Sequence, residues 1–72
     1  MEYPVTGAVY QHYKRKEHYE IIGVATDSDT EESVVVYKAL YGERRLFVRK
    51  LSVFGESVDH EDETVRRFTL IA

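Results

Sequence analysis

The sequence predicts a mostly β fold, a small SH3-like bent antiparallel barrel of about five strands with at most a short helical turn. Three observations carry this expectation. Val, Ile, Thr, Tyr and Phe dominate the apolar runs, and these residues suit a pleated, half-buried surface. The runs are short and bounded by charged or glycine-containing clusters, as strands in a small β domain are. No helix-length stretch carries a 3.6-residue apolar period with caps at its ends. A flat sheet of this size leaves one face bare, whereas a barrel closes most of its edges.

The elements follow in order. The first strand is expected over about 7–13 and the second over 18–26. Lys14 to Glu17 closes the hairpin between them, with Arg15-Lys16 as its two-residue loop. Asp27-Ser28-Asp29-Thr30-Glu31-Glu32 is rich in side chains that bond their own backbone, and it reads as a turn centred on Asp29-Thr30. The third strand is expected over 33–41, and Gly42-Glu43 supplies the turn into a fourth over 45–51. Ser52 to Val58 holds at most a short helical turn. Gly55 to Glu63 is a longer acidic excursion, and a fifth strand is expected over 64–71.

These turns imply cross-strand partners and therefore faces. One face gathers Val9, Ile22, Val24, Val35, Tyr37, Leu46 and Val48, an apolar set expected to be the core. The other gathers Tyr10, His12, Tyr19, Ile21, Val36, Lys38, Leu40, Arg45, Phe47 and Arg49, a mixture of aromatic, aliphatic and basic groups. His12 is expected to face Tyr19, and His18 to face Tyr13. A one-residue slip in any turn exchanges the faces beyond it.

At 72 residues the chain is expected to be one domain, 1–72, whose folding removes only roughly 60% of the unfolded chain's surface. There is no cysteine, so neither a disulfide nor a thiolate metal site staples the thin core. No run approaches the roughly 20 apolar residues of a membrane span. Met1-Glu2-Tyr3-Pro4 lacks the basic start and apolar run of a signal peptide. A cytoplasmic protein is expected. The formal net charge is −3, which argues against a duplex-DNA binder. The charges are segregated, however: Lys14-Arg15-Lys16, Arg44-Arg45 with Arg49-Lys50, and Arg66-Arg67 are basic, while 27–32 and 59–63 are acidic.

Tyr10-x-His12-Tyr13-Lys14, Tyr19-Glu20-Ile21-Ile22-Gly23-Val24-Ala25, Val34-Val35-Val36-Tyr37-Lys38-Ala39-Leu40-Tyr41-Gly42 and Leu46-Phe47-Val48-Arg49 together resemble the small domain-of-unknown-function family 1653. The resemblance runs from about Gly7 to Phe68, and the Tyr-Lys-Ala-Leu-Tyr-Gly block is its most specific piece. The family pattern usually has tryptophan and proline where this chain has Phe47 and Lys50. The resemblance implies a compact, mostly β module of bacterial or phage origin. It carries over no catalytic residue.

Candidate sites are few. His12, His18 and His60 are the only imidazoles, and none is spaced as a metal pair. Asp27-x-Asp29-x-Glu31 has the start of a calcium loop, but Glu32 stands where the turn glycine belongs and Lys38 where the bidentate glutamate belongs. A solvated turn and no metal are expected. Ser28, Ser33, Ser52 and Ser57 lack a nucleophile-elbow context, and Glu20 serves as a base only if buried. An enzyme is not expected.

The chain holds six tyrosines, several of them beside a basic residue or a histidine. An aromatic ring supplies flat apolar surface, and a neighbouring cation reaches an anion; small β-barrels bind single-stranded nucleic acid this way. The residues expected to bind are Tyr10, His12, Tyr19, Lys38, Arg45, Phe47 and Arg49. Lys38, Arg45 and Arg49 would contact an acidic group, Tyr10, Tyr19 and Phe47 would supply flat surface, and His12 a hydrogen bond at the edge. The competing reading packs Tyr10 and Phe47 as a second side of the core, covered by Lys and Arg stems.

Two functional readings result. The first is a non-enzymatic binding module for a protein, or for an anionic ligand such as a nucleotide or single-stranded nucleic acid. The second is a structural or interaction module acting as a homo-oligomer or accessory subunit through an exposed strand edge. Neither involves a cofactor or a membrane.

Overall fold

A computed structural model describes residues 4–72; the expected absence of a leader rests partly on Met1 to Tyr3, which lie outside the described residues. Strands β1 (Val9–His12), β2 (His18–Thr26), β3 (Ser33–Ala39) and β4 (Leu46–Lys50) are followed by a one-turn helix, α1 (Leu51–Phe54). Strands β5 (Ser57–His60), β6 (Glu63–Arg66) and β7 (Phe68–Leu70) complete the chain. Five strands form one antiparallel sheet in the order β4-β3-β2-β1-β7, and β5 and β6 form a separate antiparallel ribbon. The fold is mostly β, as expected, and the short helical turn is present. The sheet does not close into a barrel: β4 and β7 are its edges.

The expected fifth strand, 64–71, is divided at Arg67. Its backbone N–H donates to the Glu56 carbonyl at 2.9 Å and its carbonyl accepts from the Tyr13 N–H at 3.0 Å. The chain thus leaves β5 and joins β1 within one residue. The stretch read as an acidic excursion contains β5 and its turn, where Glu61 and Asp62 both adopt positive φ.

Local chemistry explains the turns. In the β2–β3 connection Asp27 Oδ1 accepts the backbone N–H groups of Asp29 at 2.9 Å and Thr30 at 3.3 Å, an Asx-type turn. This carboxylate is spent on its own loop, and the turn is centred as expected, with Thr26 opposite Ser33. The β1–β2 loop is longer than two residues. His12 N–H bonds the Glu17 carbonyl at 3.2 Å and Lys16 N–H returns to the His12 carbonyl at 3.0 Å, with Lys16 at φ 62°. Tyr10 therefore faces Tyr19, and Gln11 faces His18. The β3–β4 connection is also longer: Ala39 N–H bonds the Arg45 carbonyl at 3.0 Å, and both Gly42 and Arg44 take positive φ.

Two one-residue events then reverse the expected faces. A bulge between Ile21 and Gly23 shifts the β2–β3 register, and the extra residue sends Ile22 outward and Ile21 inward. The β3–β4 loop sets Tyr37 opposite Phe47, rather than opposite Val48. The core is Tyr10, Tyr19, Ile21, Val35, Tyr37, Ala39, Phe54 and Phe68. Of the apolar set expected there, only Val35 and Tyr37 are buried; Ile22, Leu46 and Val48 are exposed. Tyr10, Tyr19 and Ile21, expected on the other face, belong to the core.

This core is aromatic. Phe54 of α1 stacks on Phe68 with centroids 4.3 Å apart and an interplanar angle of 7°, and meets Tyr10 and Tyr37 edge-on. Truncating such a ring costs about 3–5 kcal/mol, so α1, though one turn long, holds the sheet's inner face. It covers only one end of that face. The other end is where the candidate site lies.

Candidate functional site

Beside Phe54, the inner face opens into a cavity of about 190 Å³. Its polar walls are His12 from β1, Arg15 from the β1–β2 loop, Arg49 from β4 and the hydroxyl-bearing rings of Tyr19, Tyr37 and Tyr41; Phe47 and Phe68 complete it. Alternation along each strand explains the convergence. His12 lies opposite Phe68, Tyr19 opposite Ala39, Tyr37 opposite Phe47 and Val35 opposite Arg49, so all these side chains share one face.

The rings orient the polar groups. Tyr19 meets Tyr37, Tyr41 and Phe68 edge-on at 5.5–5.7 Å between centroids. The Tyr19 and Tyr41 hydroxyls are 2.8 Å apart and share a hydrogen bond. Burial, reinforced by that bond, raises the Tyr19 pKa far above the ordinary phenol value, so Tyr19 stays protonated at neutral pH. Arg49 Nε donates to the Tyr37 hydroxyl at 3.3 Å, and its guanidinium carbon lies 5.8 Å from the centroid of Phe68, within cation–π range. On the loop side, the Tyr41 hydroxyl raises the pKa of the exposed Arg15.

His12 is held as the neutral imidazole. Its Nδ1 accepts the backbone N–H groups of Lys14 at 3.2 Å and Arg15 at 3.3 Å, which leaves the ring proton on Nε2. Burial lowers its pKa, and the charges of Arg49, Arg67, Arg15 and Lys14 lower it further. The cavity is thus lined by two guanidinium groups, an imidazole and three phenols, with no carboxylate among its lining residues. Chemically, it offers hydrogen-bond donors and positive charge over flat apolar rings.

Of the residues expected to bind, the fold brings His12, Tyr19, Phe47 and Arg49 together here. Tyr10 is buried, and it lines a different, mainly apolar cavity beside Leu51, Phe54 and Leu70. Lys38 lies opposite Leu46 on the outer face. Arg45 is exposed before β4, its carbonyl engaged by Ala39. Sequence reasoning missed Arg15, Tyr37, Tyr41 and Phe68 as lining residues. The Lys14-Arg15-Lys16 run and the Tyr37–Gly42 block were visible signals for the first three; Phe68 carried none. Among the described residues, no cluster of three or more His, Cys, Asp or Glu is placed to hold a metal ion, and no helix is long and apolar enough to cross a membrane.

Comparison with known proteins gives a family but no activity. Residues 8–70 match the family model described as a protein of unknown function, DUF1653. A crystal structure of a DUF1653 protein from Bordetella bronchiseptica is similar at 35% sequence identity with a TM-score of 0.82, over 93% of this chain and 87% of that one. No curated protein matches. With the match spanning all seven strands and the cavity between them, this chain belongs to the DUF1653 family.

Proposed function

We propose that this chain is a non-enzymatic binding module whose inner-face cavity takes one negatively charged group, a carboxylate or phosphate, presented by a larger partner. The observation that carries this is the convergence of Arg15, Arg49 and His12, whose ring proton sits on Nε2, on a cavity with no lining carboxylate. Guanidinium groups recognise carboxylates and phosphates through paired, charge-assisted hydrogen bonds. Here Arg49 is already oriented by Tyr37 and Phe68, which lowers the ordering cost of binding.

Size restricts the ligand. Sites that enclose a drug-sized molecule are usually about 300–1,000 Å³, and this cavity is smaller. It fits a charged group with a short stem, not a whole nucleotide. The lining also favours binding over catalysis: it includes no serine, cysteine or carboxylate, and the His12 Nδ1 is committed to backbone N–H groups.

Titration of the isotope-labelled protein with sodium phosphate, and separately with sodium acetate, tests this. Salt-sensitive shifts confined to His12, Arg15, Phe47 and Arg49, lost in Arg49→Gln, are expected. Shifts scattered over the surface cations, or unchanged in Arg49→Gln, would remove the assignment.

A further inference from the structure

The cavity opens beside the sheet's edge strand, and the backbone of that strand has a free side. β4 pairs with β3 alone among the described strands. The Ala39 N–H bonds the Arg45 carbonyl, and in an antiparallel ladder the hydrogen-bonded pairs recur at every second residue. Tyr37–Phe47 and Val35–Arg49 are therefore the bonded pairs. It follows that the backbone N–H and C=O groups of Leu46 and Val48 and the N–H of Lys50 point away from β3, whereas the carbonyl of Lys50, the N-cap of α1, is taken up by the helix. The side chains of Leu46 and Val48 are also exposed, at 63% and 66%. Natural edge strands are usually shielded against pairing; this one presents open polar backbone flanked by apolar side chains.

Resting on the anion-binding reading above, we infer that β4 receives an extended acidic peptide segment of a partner protein as a sixth strand, with one of its carboxylates entering the cavity. Geometry links the two. A strand added at about 4.8 Å from β4 places alternate side chains opposite Phe47 and Arg49, on the inner face where the cavity opens. The intervening side chains lie beside Leu46 and Val48 on the outer face. The segment that fits has acidic residues alternating with apolar ones, its backbone supplying affinity and its alternate side chains specificity.

Charge selects this occupant over a second copy of the chain. Arg44, Arg45, Arg49 and Lys50 lie along or just before the edge, and among the described residues only Lys50 of these four is paired with a carboxylate, Glu32 at 3.5 Å. Pairing β4 with its own copy would bring two such rows of cations together. An acidic strand neutralises one.

The probe is an acetylated, amidated octapeptide of alternating valine and glutamate, with alternating valine and lysine as the control. Its addition is expected to shift the amides of Leu46, Val48 and Lys50, slow their hydrogen exchange and shift the Arg49 side chain; the lysine peptide should do none of these. Val48→Pro removes a donor that faces away from β3, a placement edge strands tolerate, and should weaken the peptide roughly tenfold or more. Phosphate should still shift Arg49 in that variant. Methylating the peptide's own alternate backbone nitrogens removes the same hydrogen bonds without altering the protein, and should weaken binding in one of the two alternations. Phosphate binding without peptide binding would overturn strand addition and leave the cavity assignment standing. Failure of both would overturn both. Peptide binding indifferent to Val48→Pro and to either methylation, or concentration-dependent protection of the β4 amides without peptide, would also overturn the inference, the last assigning the edge to self-pairing.

Discussion

Arg49 and Tyr37 are joined across the β3–β4 ladder by a hydrogen bond from the guanidinium Nε to the phenol oxygen, 3.3 Å long. They are not directly opposite: Arg49 faces Val35, and Tyr37 faces Phe47. The bond therefore runs diagonally across the sheet and tilts the guanidinium over Phe68. One oxygen in the core thus aims the principal cation of the cavity.

Tyr37→Phe tests that aim. The ring and its packing remain, so stability should fall only by the net value of one partly buried hydrogen bond, about 0.5–1.5 kcal/mol. Phosphate and acetate binding should weaken by roughly three- to tenfold, because a reoriented guanidinium loses part of its charge-assisted pairing. Denaturant unfolding alongside an NMR titration separates the two; unchanged anion affinity would show that Tyr37 is only a core residue.

The bulge makes neighbouring isoleucines opposites. Ile21 is completely buried, whereas Ile22 is 42% exposed. Ile21→Ala should destabilise by about 2–5 kcal/mol, and Ile22→Ala should cost well under half as much, as surface changes do. Equilibrium urea unfolding reads both. Comparable losses would contradict the observed register.

His12 should make stability pH-dependent in a defined direction. Its folded pKa lies below the ordinary 6.5, through burial and then the charges of Arg49, Arg67, Arg15 and Lys14. Between the folded value and 6.5 the unfolded chain binds more protons, so this contribution is present above 6.5 and is lost as pH falls through the folded pKa. Protonation also removes the acceptor used by the Lys14 and Arg15 N–H groups. The His12 ring should titrate below 6.5 by NMR, and His12→Gln should remove its share of the stability loss below pH 6.5. A midpoint at or above 6.5 in the free protein would refute this; phosphate in the cavity should move the midpoint upward.

Much of the secondary structure was legible because its causes are local. β2 was expected over 18–26 and is found there, since its β-branched and aromatic run ends at Asp27, whose carboxylate folds the chain back on itself. The absence of a capped helical period limited the helix to a turn, and α1 is one turn. The division at Arg67 was not legible, because the choice between β5 and β1 depends on hydrogen bonds to Glu56 and Tyr13 made after the chain has folded.

The candidate site was legible in kind rather than in membership. Rings beside cations marked His12, Tyr19, Phe47 and Arg49, and those four share the cavity. Lys38 and Arg45 satisfied the same local pattern and lie elsewhere. Because a strand's side chains alternate with a period of two, a single extra residue exchanges one face for the other, and two such events occurred, at the Ile21–Gly23 bulge and in the loop between Ala39 and Arg45. By itself, the sequence determined that short aromatic strands would pair into a small β domain, since propensity and turn chemistry act over a few residues. Only the tertiary structure decided which rings became core and which line a cavity, since register is chosen by what the whole inner face can bury, with Phe54 and Phe68 stacked at its centre.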